Sequence, residues 1–349
     1  MRRCLQLAAS GAGKVAPNPM VGALLVYNNK IIGEGYHMKY GEAHAEVNCI
    51  SSVKPNNRSL ISQSTLYVSL EPCSHFGKTP PCADLIIENN IPHVVIGCKD
   101  PFEKVNGGGI EKLLAAGARI TTGILEDEAI ELNKRFFTYH TKQRPYIILK
   151  WAQSANARIA TATFGAVKIS NLLSDTMVHK WRSEESAIMV GFNTAKFDDP
   201  LLTNRLWTGN NPVRIVFDPG LELKASLQLF SQQAPTLVIN CLKASTDGVV
   251  KYCKISEGLP IIEECVKLMH SEGLLSVIVE GGTKLIQSFI NAGYWDEIRM
   301  IENSELQIEN GIPAPIIGTS LSPAIKMVGS DRHIFFRNTL AENDNSRLL

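Results

Sequence analysis

The sequence predicts an α/β fold in two domains. Its 349 residues are about twice the length of a typical single domain. Strand-like and helix-like segments alternate in both halves, which is typical of sheets covered by helices. A polar stretch over residues 141–145 ends a helical pattern, and Pro145 disfavours continuation of that helix. We therefore expect one domain over residues 1–144 and a second over residues 145–349.

Composition and charge exclude several classes of protein. Hydrophobic residues make up 44% of the chain and charged residues 20%, so the chain can bury cores and is not disordered. Its 35 basic and 34 acidic residues leave a net charge of +1, which argues against binding of nucleic acid through a basic patch. No apolar run approaches the roughly 20 residues of a membrane span. The first residues do not resemble a signal peptide, and eight scattered cysteines suit a reducing compartment, so we expect a cytoplasmic protein.

The clearest element of the first half is a hairpin. Apolar runs over 21–27 and 31–36 flank Asn28 and Asn29, which favour a tight turn. Hydrophobic patterns predict further strands over 65–70 and 93–98, and helices over 43–52, 83–89, 109–116 and 126–140. This alternation predicts a layered α/β sheet.

The second half repeats the alternation. Its predicted strands cover 146–151, 187–190, 213–217, 236–240 and 276–279, and two of its predicted helices cover 175–182 and 261–272. The polar end, residues 337–349, is expected to fray.

The strongest chemical pattern is His44-Ala45-Glu46, followed by Pro72-Cys73 and then by Cys82. One imidazole and two thiolates form a zinc set with an open fourth position, where a water can lose a proton near neutral pH. Glu46 lies about 200° from His44 around a helix, so it is not a second ligand from the same face. In the first helical turn it can still reach that water and serve as a proton shuttle.

The same pattern is similar to the His-x-Glu and Pro-Cys arrangement of base deaminases, except that eight residues separate Cys73 from Cys82. A structural zinc site is the alternative, and it would need a fourth ligand, for which His75 is nearest in sequence. The other six cysteines are expected to be small core residues: Cys4, Cys49, Cys98, Cys241, Cys253 and Cys265.

The second half carries a weaker pattern, a glycine pair between a buried strand and a helix. Gly281 and Gly282 could bring backbone N–H groups close to an anion at the helix N-terminus, or they could form a tight connection only. The pair is not the Gly-x-Gly-x-x-Gly of a dinucleotide fold. A loop dense in polar residues, 191–205, follows another predicted strand.

Together these segments resemble the RibD family of bifunctional riboflavin-biosynthesis enzymes. The resemblance extends along nearly the whole chain, and its most specific part is the Thr-Pro-Pro-Cys loop that ends at Cys82. The motifs that carry it in the first half are residues 17–22, 33–37, 44–46, 70–82, 107–117 and 132–136. The resemblance implies a cytidine-deaminase-like three-layer domain followed by a dihydrofolate-reductase-like domain.

For the first domain, the resemblance implies zinc bound by His44, Cys73 and Cys82, with Glu46 as the catalytic proton donor. Its substrate residues would be Asn18, Lys78 and Thr79. The last two lie in the insert between the cysteines, and a cationic loop that holds a ribose phosphate would explain the long spacing. The remaining histidines, His179 among them, are expected to be surface or packing residues.

For the second domain, the resemblance implies reduction with NADPH. The residues expected to contact NADPH are Ala152, Lys168, Thr194, Asp198, Gly282, Thr283, Lys284, Leu285, Ile286, Gln287 and Ser288. The residues expected to contact substrate are Ala166, Arg182, Leu202, Arg205 and Glu280, with the arginines pairing with its phosphate.

Four residues depart from the family's usual motifs near the expected nicotinamide pocket. Asn156 and Ala157 stand where Asp-Gly is usual, and Ala166 and Lys168 stand where Ser and Trp are usual. Lys168 cannot stack as an indole would, although it could contact a cofactor phosphate. A deaminase whose second domain is only a scaffold is therefore an alternative.

The sequence thus predicts a two-step enzyme with Zn²⁺ and NADPH as cofactors. The first domain would deaminate 2,5-diamino-6-ribosylamino-4(3H)-pyrimidinone 5′-phosphate, and the second would reduce 5-amino-6-(5-phosphoribosylamino)uracil. Its partners would be these phosphorylated pyrimidines, without nucleic acid or membrane, and a homo-oligomer is compatible with the sequence. The rival from another class, a nucleic-acid base deaminase with an RNA-binding second domain, is disfavoured by the near-zero net charge.

Overall fold

The computed structural model describes residues 1–76, 80–102, 105–162, 167–256, 260–318 and 321–338. The chain divides into two compact units, Met1–Gln143 and Arg144–Leu349, and each has its own hydrophobic core. Within the described ranges, no helix has the length and apolar character that crossing a membrane requires.

The first unit is built on a five-stranded sheet with the order β2-β1-β3-β4-β5. The strands are β1 (Gly22–Tyr27), β2 (Lys30–Tyr36), β3 (Thr65–Leu70), β4 (His93–Cys98) and β5 (Arg119–Thr121). The expected hairpin is β1–β2, and Asn28 and Asn29 both have positive φ, as a tight hairpin turn requires. Strands β3, β4 and β5 are parallel, so their carboxyl ends lie at one edge of the sheet.

Helices cover both faces of this sheet. They are α1 (Arg2–Ala9), α2 (Ala45–Ser51), α3 (Cys82–Glu88), α4 (Gly108–Ala115), α5 (Glu126–Leu132) and α6 (Lys134–Lys142), with a 3₁₀ segment over Pro55–Gln63. Apolar residues of α2, α3 and α4 pack with one face of the strands, and those of α1, α5 and α6 pack with the other. This is the three-layer arrangement that the resemblance implies.

The helix expected over 126–140 is divided at Asn133. The Asn133 side chain accepts from the Met20 backbone N–H at 2.8 Å and donates to the Met20 carbonyl at 2.9 Å. Its backbone leaves the helical region at φ −104° and ψ 20°. A long-range contact that periodicity cannot reveal thus separates α5 from α6.

The second unit is built on a ten-stranded sheet with the order β11-β12-β10-β9-β8-β13-β6-β14-β17-β16, and β7 pairs with β15 separately. The strands are β6 (Tyr146–Ser154), β7 (Arg158–Ala160), β8 (Ala187–Gly191), β9 (Val213–Phe217), β10 (Thr236–Asn240), β11 (Ser245–Asp247), β12 (Val250–Lys254), β13 (Ser276–Glu280), β14 (Glu297–Asn303), β15 (Ile312–Pro313), β16 (Ala324–Val328) and β17 (Asp331–Arg337). The seven central strands from β12 to β14 are parallel. Their carboxyl ends therefore share one edge, where α/β proteins place ligands.

In the described part of this unit, four helices cover the ten-stranded sheet: α7 (Leu172–Glu184), α8 (Phe192–Asp198), α9 (Ile261–Ser271) and α10 (Thr283–Asn291). Helices α9 and α10 pack with the larger core, and α7 and α8 pack on the other side. The sequence patterns miss β14, β16 and β17, because their mixed polar and apolar residues carry no clear alternation.

The second unit begins at a buried ion pair. Arg144 Nη1 and Nη2 donate to the two carboxylate oxygens of Asp296, each at 2.6 Å, and Asp296 also accepts from the Ile147 backbone N–H at 2.8 Å. The bidentate geometry anchors the first residue of the unit next to β6.

Candidate active sites

Three side chains with metal-binding chemistry converge in the first unit. His44 is the N-cap of α2, Cys73 follows β3, and Cys82 is the first residue of α3. The Cys73 and Cys82 sulfur atoms lie 3.6 and 3.3 Å from His44 Nδ1. Tetrahedral zinc with ordinary bond lengths places nitrogen and sulfur ligands about 3.5 Å apart. The three donors therefore fit zinc, and they leave a fourth position for water or substrate.

The electrostatics of the cysteine pair favour a thiolate. Donation from the Cys82 thiol, together with donation from His44, lowers the pKa of Cys73 to about 4. The Cys73 sulfur also accepts the Cys82 backbone N–H at 3.3 Å, and its hydrogen bond raises the pKa of His44. As the donor in this pair, Cys82 has its own pKa raised by the negative sulfur of Cys73. An anionic sulfur at the start of a helix suits capture of a metal cation.

Glu46 lies in the first turn of α2 and is only 3% exposed. Burial raises its pKa, and the nearby negative sulfur of Cys73 raises it further. A carboxyl group whose pKa is raised can hold a proton and release it, which is the chemistry of a proton shuttle.

Glu71, which the sequence analysis did not single out, organises the chain next to the cysteine ligands. Its buried carboxylate accepts backbone N–H groups from Asp100, Gly107, Gly109 and Ile110 at 3.0–3.3 Å. Two of these donors lie in the first turn of α4, which the carboxylate thereby caps. Any Cβ at Gly109 would lie 1.9 Å from the Pro72 carbonyl oxygen, so only glycine permits this close approach.

A buried histidine orients Asn18. His37 Nδ1 donates to the Ala43 carbonyl at 3.0 Å, so its Nε2 is the acceptor for the Asn18 amide N–H at 3.2 Å. The His37 ring also packs edge-on against the His44 ring, with centroids 5.4 Å apart. The sequence pattern indicates no role for His37, since only the fold brings it next to Asn18.

Three of the expected site residues, Lys78, Thr79 and Ala166, lie outside the described residues. Their roles rest on the family resemblance alone.

The second unit contains a cavity of about 1450 Å³ at the carboxyl ends of its central strands. Of the residues expected to contact NADPH or substrate, the cavity is lined by Ala152, Lys168, Arg182, Thr194, Asp198, Leu202, Glu280, Gly282, Thr283, Lys284, Leu285 and Ser288. The exposed Arg205 is not among its lining residues.

Two members of the expected NADPH run face away from the cavity. Ile286 is fully buried in the core, and the Gln287 side chain accepts from the Ile316 backbone N–H at 2.8 Å. Successive helical residues lie about 100° apart, so the whole run cannot face one ligand.

The glycine pair permits a tight entry into α10. Gly281 and Gly282 have φ values of +85° and +70°, where side chains are disfavoured, and a Cβ at Gly281 would lie 3.0 Å from the Thr194 side chain. Both glycines line the cavity, so the N-terminus of α10 opens onto it. The positive φ values allow the tight connection, and a helix N-terminus that opens onto the cavity is what the phosphate-binding interpretation requires.

Several cationic side chains lie near one another on one side of the cavity. Arg182 Nη2 donates to Glu280 at 2.8 Å, and Lys150 Nζ lies 3.7 Å from the same carboxylate. Burial alone would raise the pKa of Glu280, but Arg182 and Lys150 together hold it at about 2. Arg205 Nη1 donates to Thr203 Oγ1 at 3.2 Å, and the Thr203 carbonyl accepts from Arg182. Burial and then the positive charge of Arg182 lower the pKa of Arg205.

Asn156, one of the residues that depart from the family motifs, has a local structural role. Asn156 accepts from the Ile308 backbone N–H at 3.2 Å and donates to the Ile308 carbonyl at 3.0 Å. Neither Asn156 nor Ala157 lines the cavity. Lys168 does line it and lies 3.4 Å from Asp175.

Family models match each unit. The family described as "Cytidine and deoxycytidylate deaminase zinc-binding region" matches residues 1–98, and the "RibD C-terminal domain" matches residues 145–304. The fold and sites thus define a zinc-dependent deaminase joined to an NADPH-dependent reductase, and the predicted fold class is confirmed.

Curated relatives match over both units. "Riboflavin biosynthesis protein RibD" of Aquifex aeolicus is 38% identical and covers 97% of both chains. The protein of the same name from Bacillus amyloliquefaciens is 36% identical over 93% of this chain and 86% of its own. The chain belongs to the RibD family.

Solved structures agree with this assignment. A diaminohydroxyphosphoribosylaminopyrimidine deaminase/5-amino-6-(5-phosphoribosylamino)uracil reductase from Thermotoga maritima is 34% identical, with a TM-score of 0.87 and coverage of 97% of both chains. RibD of Acinetobacter baumannii is 26% identical, with a TM-score of 0.86, and covers 96% of this chain and 97% of its own.

Proposed function

We propose that this chain carries out two successive steps of riboflavin biosynthesis. It hydrolytically deaminates 2,5-diamino-6-ribosylamino-4(3H)-pyrimidinone 5′-phosphate, and then reduces 5-amino-6-(5-phosphoribosylamino)uracil with NADPH. The proposal rests on the presence of two sites in one chain. One is a His–Cys–Cys set beside buried Glu46, and the other is a large cavity at a helix N-terminus that follows a glycine pair. The Thermotoga maritima relative is named for both activities.

In the first unit, His44, Cys73 and Cys82 would hold zinc, which when bound would supply the Lewis acidity that activates water near neutral pH. Glu46 takes a proton from the attacking water and delivers protons to the ring nitrogen and to the departing amino group. The C–N bond breaks, the water oxygen becomes the new carbonyl, and ammonia leaves. The burial of Glu46 keeps bulk water from competing for these protons.

The pyrimidine phosphate needs contacts beyond the metal. Asn18, whose amide N–H donates to His37, would offer its carbonyl oxygen to a ring N–H or a sugar hydroxyl. Lys78 and Thr79 hold the ribose phosphate by the family resemblance, as a cation and a hydroxyl donor.

In the second unit, the cavity would hold NADPH, which when bound would supply a hydride; with a proton from solvent, this converts the opened ribosylamino group to ribitylamino. The α10 N-terminus with Thr283, Lys284 and Ser288 lines this cavity and would hold the cofactor phosphates. Lys168 adds a cation at the cavity wall. By the family resemblance, Arg182 and Arg205 would bind the substrate phosphate. Arg182 already donates to Glu280, a carboxylate that it shares with Lys150, so the phosphate would be bound in addition to this ion pair.

The partners of the chain are accordingly small phosphorylated pyrimidines. All eight cysteines are free of disulfide bonds, which agrees with a reducing cytoplasmic compartment.

A coupled assay tests both steps. Incubation of zinc-loaded protein with the diamino substrate should release ammonia, and NADPH oxidation at about 340 nm should follow. Ammonia release without NADPH oxidation, even when the deaminated intermediate is supplied directly, would favour a deaminase with a non-catalytic second unit. Absence of ammonia release would reject the first half of the proposal.

A further inference from the structure

His179 lies behind the cation cluster and contacts the chain of Arg205 directly. It belongs to α7, one turn before Arg182, and is only 5% exposed. Its Nδ1 accepts the backbone N–H of Arg205 at 2.9 Å. The ring proton must therefore be on Nε2, and the imidazole is fixed as one tautomer.

This hydrogen bond adds to two others that hold the segment around Arg205, from Arg182 to the Thr203 carbonyl and from the Asn204 backbone N–H to Asn211. The Arg205 side chain is exposed and is tied to the protein through Thr203 Oγ1 at 3.2 Å. Leu202, just before this segment, has a φ of +56°, a left-handed conformation that a leucine holds only when its surroundings enforce it. His179 joins the Arg205 backbone to the helix that carries Arg182, so it fixes where the Arg205 side chain begins relative to that helix.

The role requires a neutral imidazole, since a protonated ring has no acceptor. Burial, followed by the positive charges of Arg182 and Arg205, lowers the pKa of His179 to about 4, although Glu280 and Asp175 act in the opposite direction. His179 is therefore an acceptor at neutral pH.

We propose that His179 is a positioning residue of the reductase, which holds Arg205 beside Arg182 so that both guanidinium groups can bind the substrate phosphate. This inference rests on the proposed reductase function. It predicts that His179 affects the Michaelis constant for the phosphorylated substrate and has little effect on hydride transfer once substrate is bound.

Two variants of His179 separate its hydrogen bond from its bulk. In His179→Asn, the amide oxygen can replace Nδ1 as the acceptor, so the Michaelis constant should stay within about threefold of the wild-type value. His179→Leu keeps a similar volume but leaves the Arg205 N–H without its acceptor. It should raise that constant about tenfold, which corresponds to about 1.4 kcal/mol. NADPH affinity, measured by calorimetry, should be unchanged in both variants.

The substrate provides the decisive control. With the same ribosylaminouracil lacking its phosphate, wild-type protein and His179→Leu should have equal Michaelis constants, because no anion then needs two guanidinium groups. In an Arg205→Ala background, His179→Leu should cause little further loss, since the two changes remove one function.

The proposal would be overturned if Leu and Asn behaved alike, or if the defect persisted on the phosphate-free substrate. Loss of NADPH binding in His179→Leu, repeated in His179→Ala, would show that the residue is needed for folding and would also overturn it. Wild-type protein without any reductase activity would instead reject the proposed function itself.

Discussion

The two candidate sites differ in how densely their chemistry is packed. In the first unit, the candidate residues lie at the starts of two short helices and just after one strand: His44 and Glu46 at α2, Cys82 at α3 and Cys73 after β3. Glu46 and Cys82 are almost fully buried. In the second unit, the candidate residues line a cavity of about 1450 Å³. At the first site, an acid–base group of the protein would assist cleavage of a bond in the substrate. At the second site, the protein would bind two large anionic molecules, the cofactor and the substrate, next to each other.

This difference determines what a substitution should do at each site. A group that transfers protons contributes to the transition state, so its loss should reduce turnover by orders of magnitude. A group that binds one end of a substrate contributes about equally before and during reaction, so its loss should mainly raise a Michaelis constant. Substitutions at the two sites should therefore differ in whether they reduce turnover or raise a Michaelis constant.

Glu46→Gln should give the largest effect. The amide cannot shuttle a proton, so the rate of ammonia release should fall about 10²–10⁴-fold while zinc stays bound. Zinc content is measured by atomic absorption, and NADPH oxidation is followed with the deaminated intermediate as substrate. That second activity should be unchanged. Near-normal ammonia release from a zinc-loaded variant would remove Glu46 from its assigned role.

Cys82→Ser should reduce the binding of zinc itself. A serine hydroxyl is a poor replacement for a thiolate, so zinc content should fall well below one per chain and deamination should fall with it. Cys98→Ser is the matched control, because Cys98 is also buried in the first unit but its sulfur contacts the Ser69 carbonyl. If both variants lost zinc equally, general destabilisation would explain the loss better than removal of a ligand.

The sequence predicts the first site better than the second for a physical reason. Metal ligands must be particular residue types at strand ends and helix starts, so His44, Cys73 and Cys82 are visible as a pattern, as are the buried strands 65–70 and 93–98. Asn18 and His37 form a pair only after folding, and the contact between Asn133 and Met20 that divides a helix spans most of the first unit. Long-range partners of this kind have no local signal.

In the second unit, sequence similarity indicates a segment but not the direction of each side chain. The run that begins at Gly282 includes Ile286, which lies in the core, and Gln287, which contacts Ile316. The departures at positions 156 and 157 adjoin the expected pocket in sequence, although the structure places neither in the cavity wall. Only the fold separates the residues that can contact a ligand from those that support them.

Arg205→Ala should give an intermediate effect confined to the reductase. It removes a charge-assisted contact to the substrate phosphate of about 1.5–3 kcal/mol, so the Michaelis constant should rise about tenfold or more. Arg205→Lys keeps the charge without the fork of donors and should fall between Ala and wild type. Ammonia release should not change. Equal loss of both activities would indicate misfolding, and no loss of either would place Arg205 outside the substrate site.

Ala157→Gly should give the smallest effect, on stability alone. Ala157 has a φ of +54°, and an L-residue in this left-handed region costs about 1–2 kcal/mol, which glycine avoids. The greater freedom of glycine in the unfolded chain offsets about 0.4–1 kcal/mol of that gain. The backbone hydrogen bonds of Ala157 with Ser154 and Ala314 are retained. The net gain of about 0.5–1 kcal/mol should raise the melting temperature of the second unit by about 1–4 °C.

Calorimetric melting and NADPH affinity together show whether the Ala157→Gly substitution acts on stability or on cofactor binding. Ala155→Gly is the matched control, because Ala155 is equally exposed but does not have positive φ, so glycine there should not raise the melting temperature. The affinity for NADPH should be the same in both variants and in wild type, since neither alanine lines the cavity. If Ala157→Gly changed NADPH affinity and not the melting temperature, the residue would act on the cofactor, and the departure at this position would be functional and not structural.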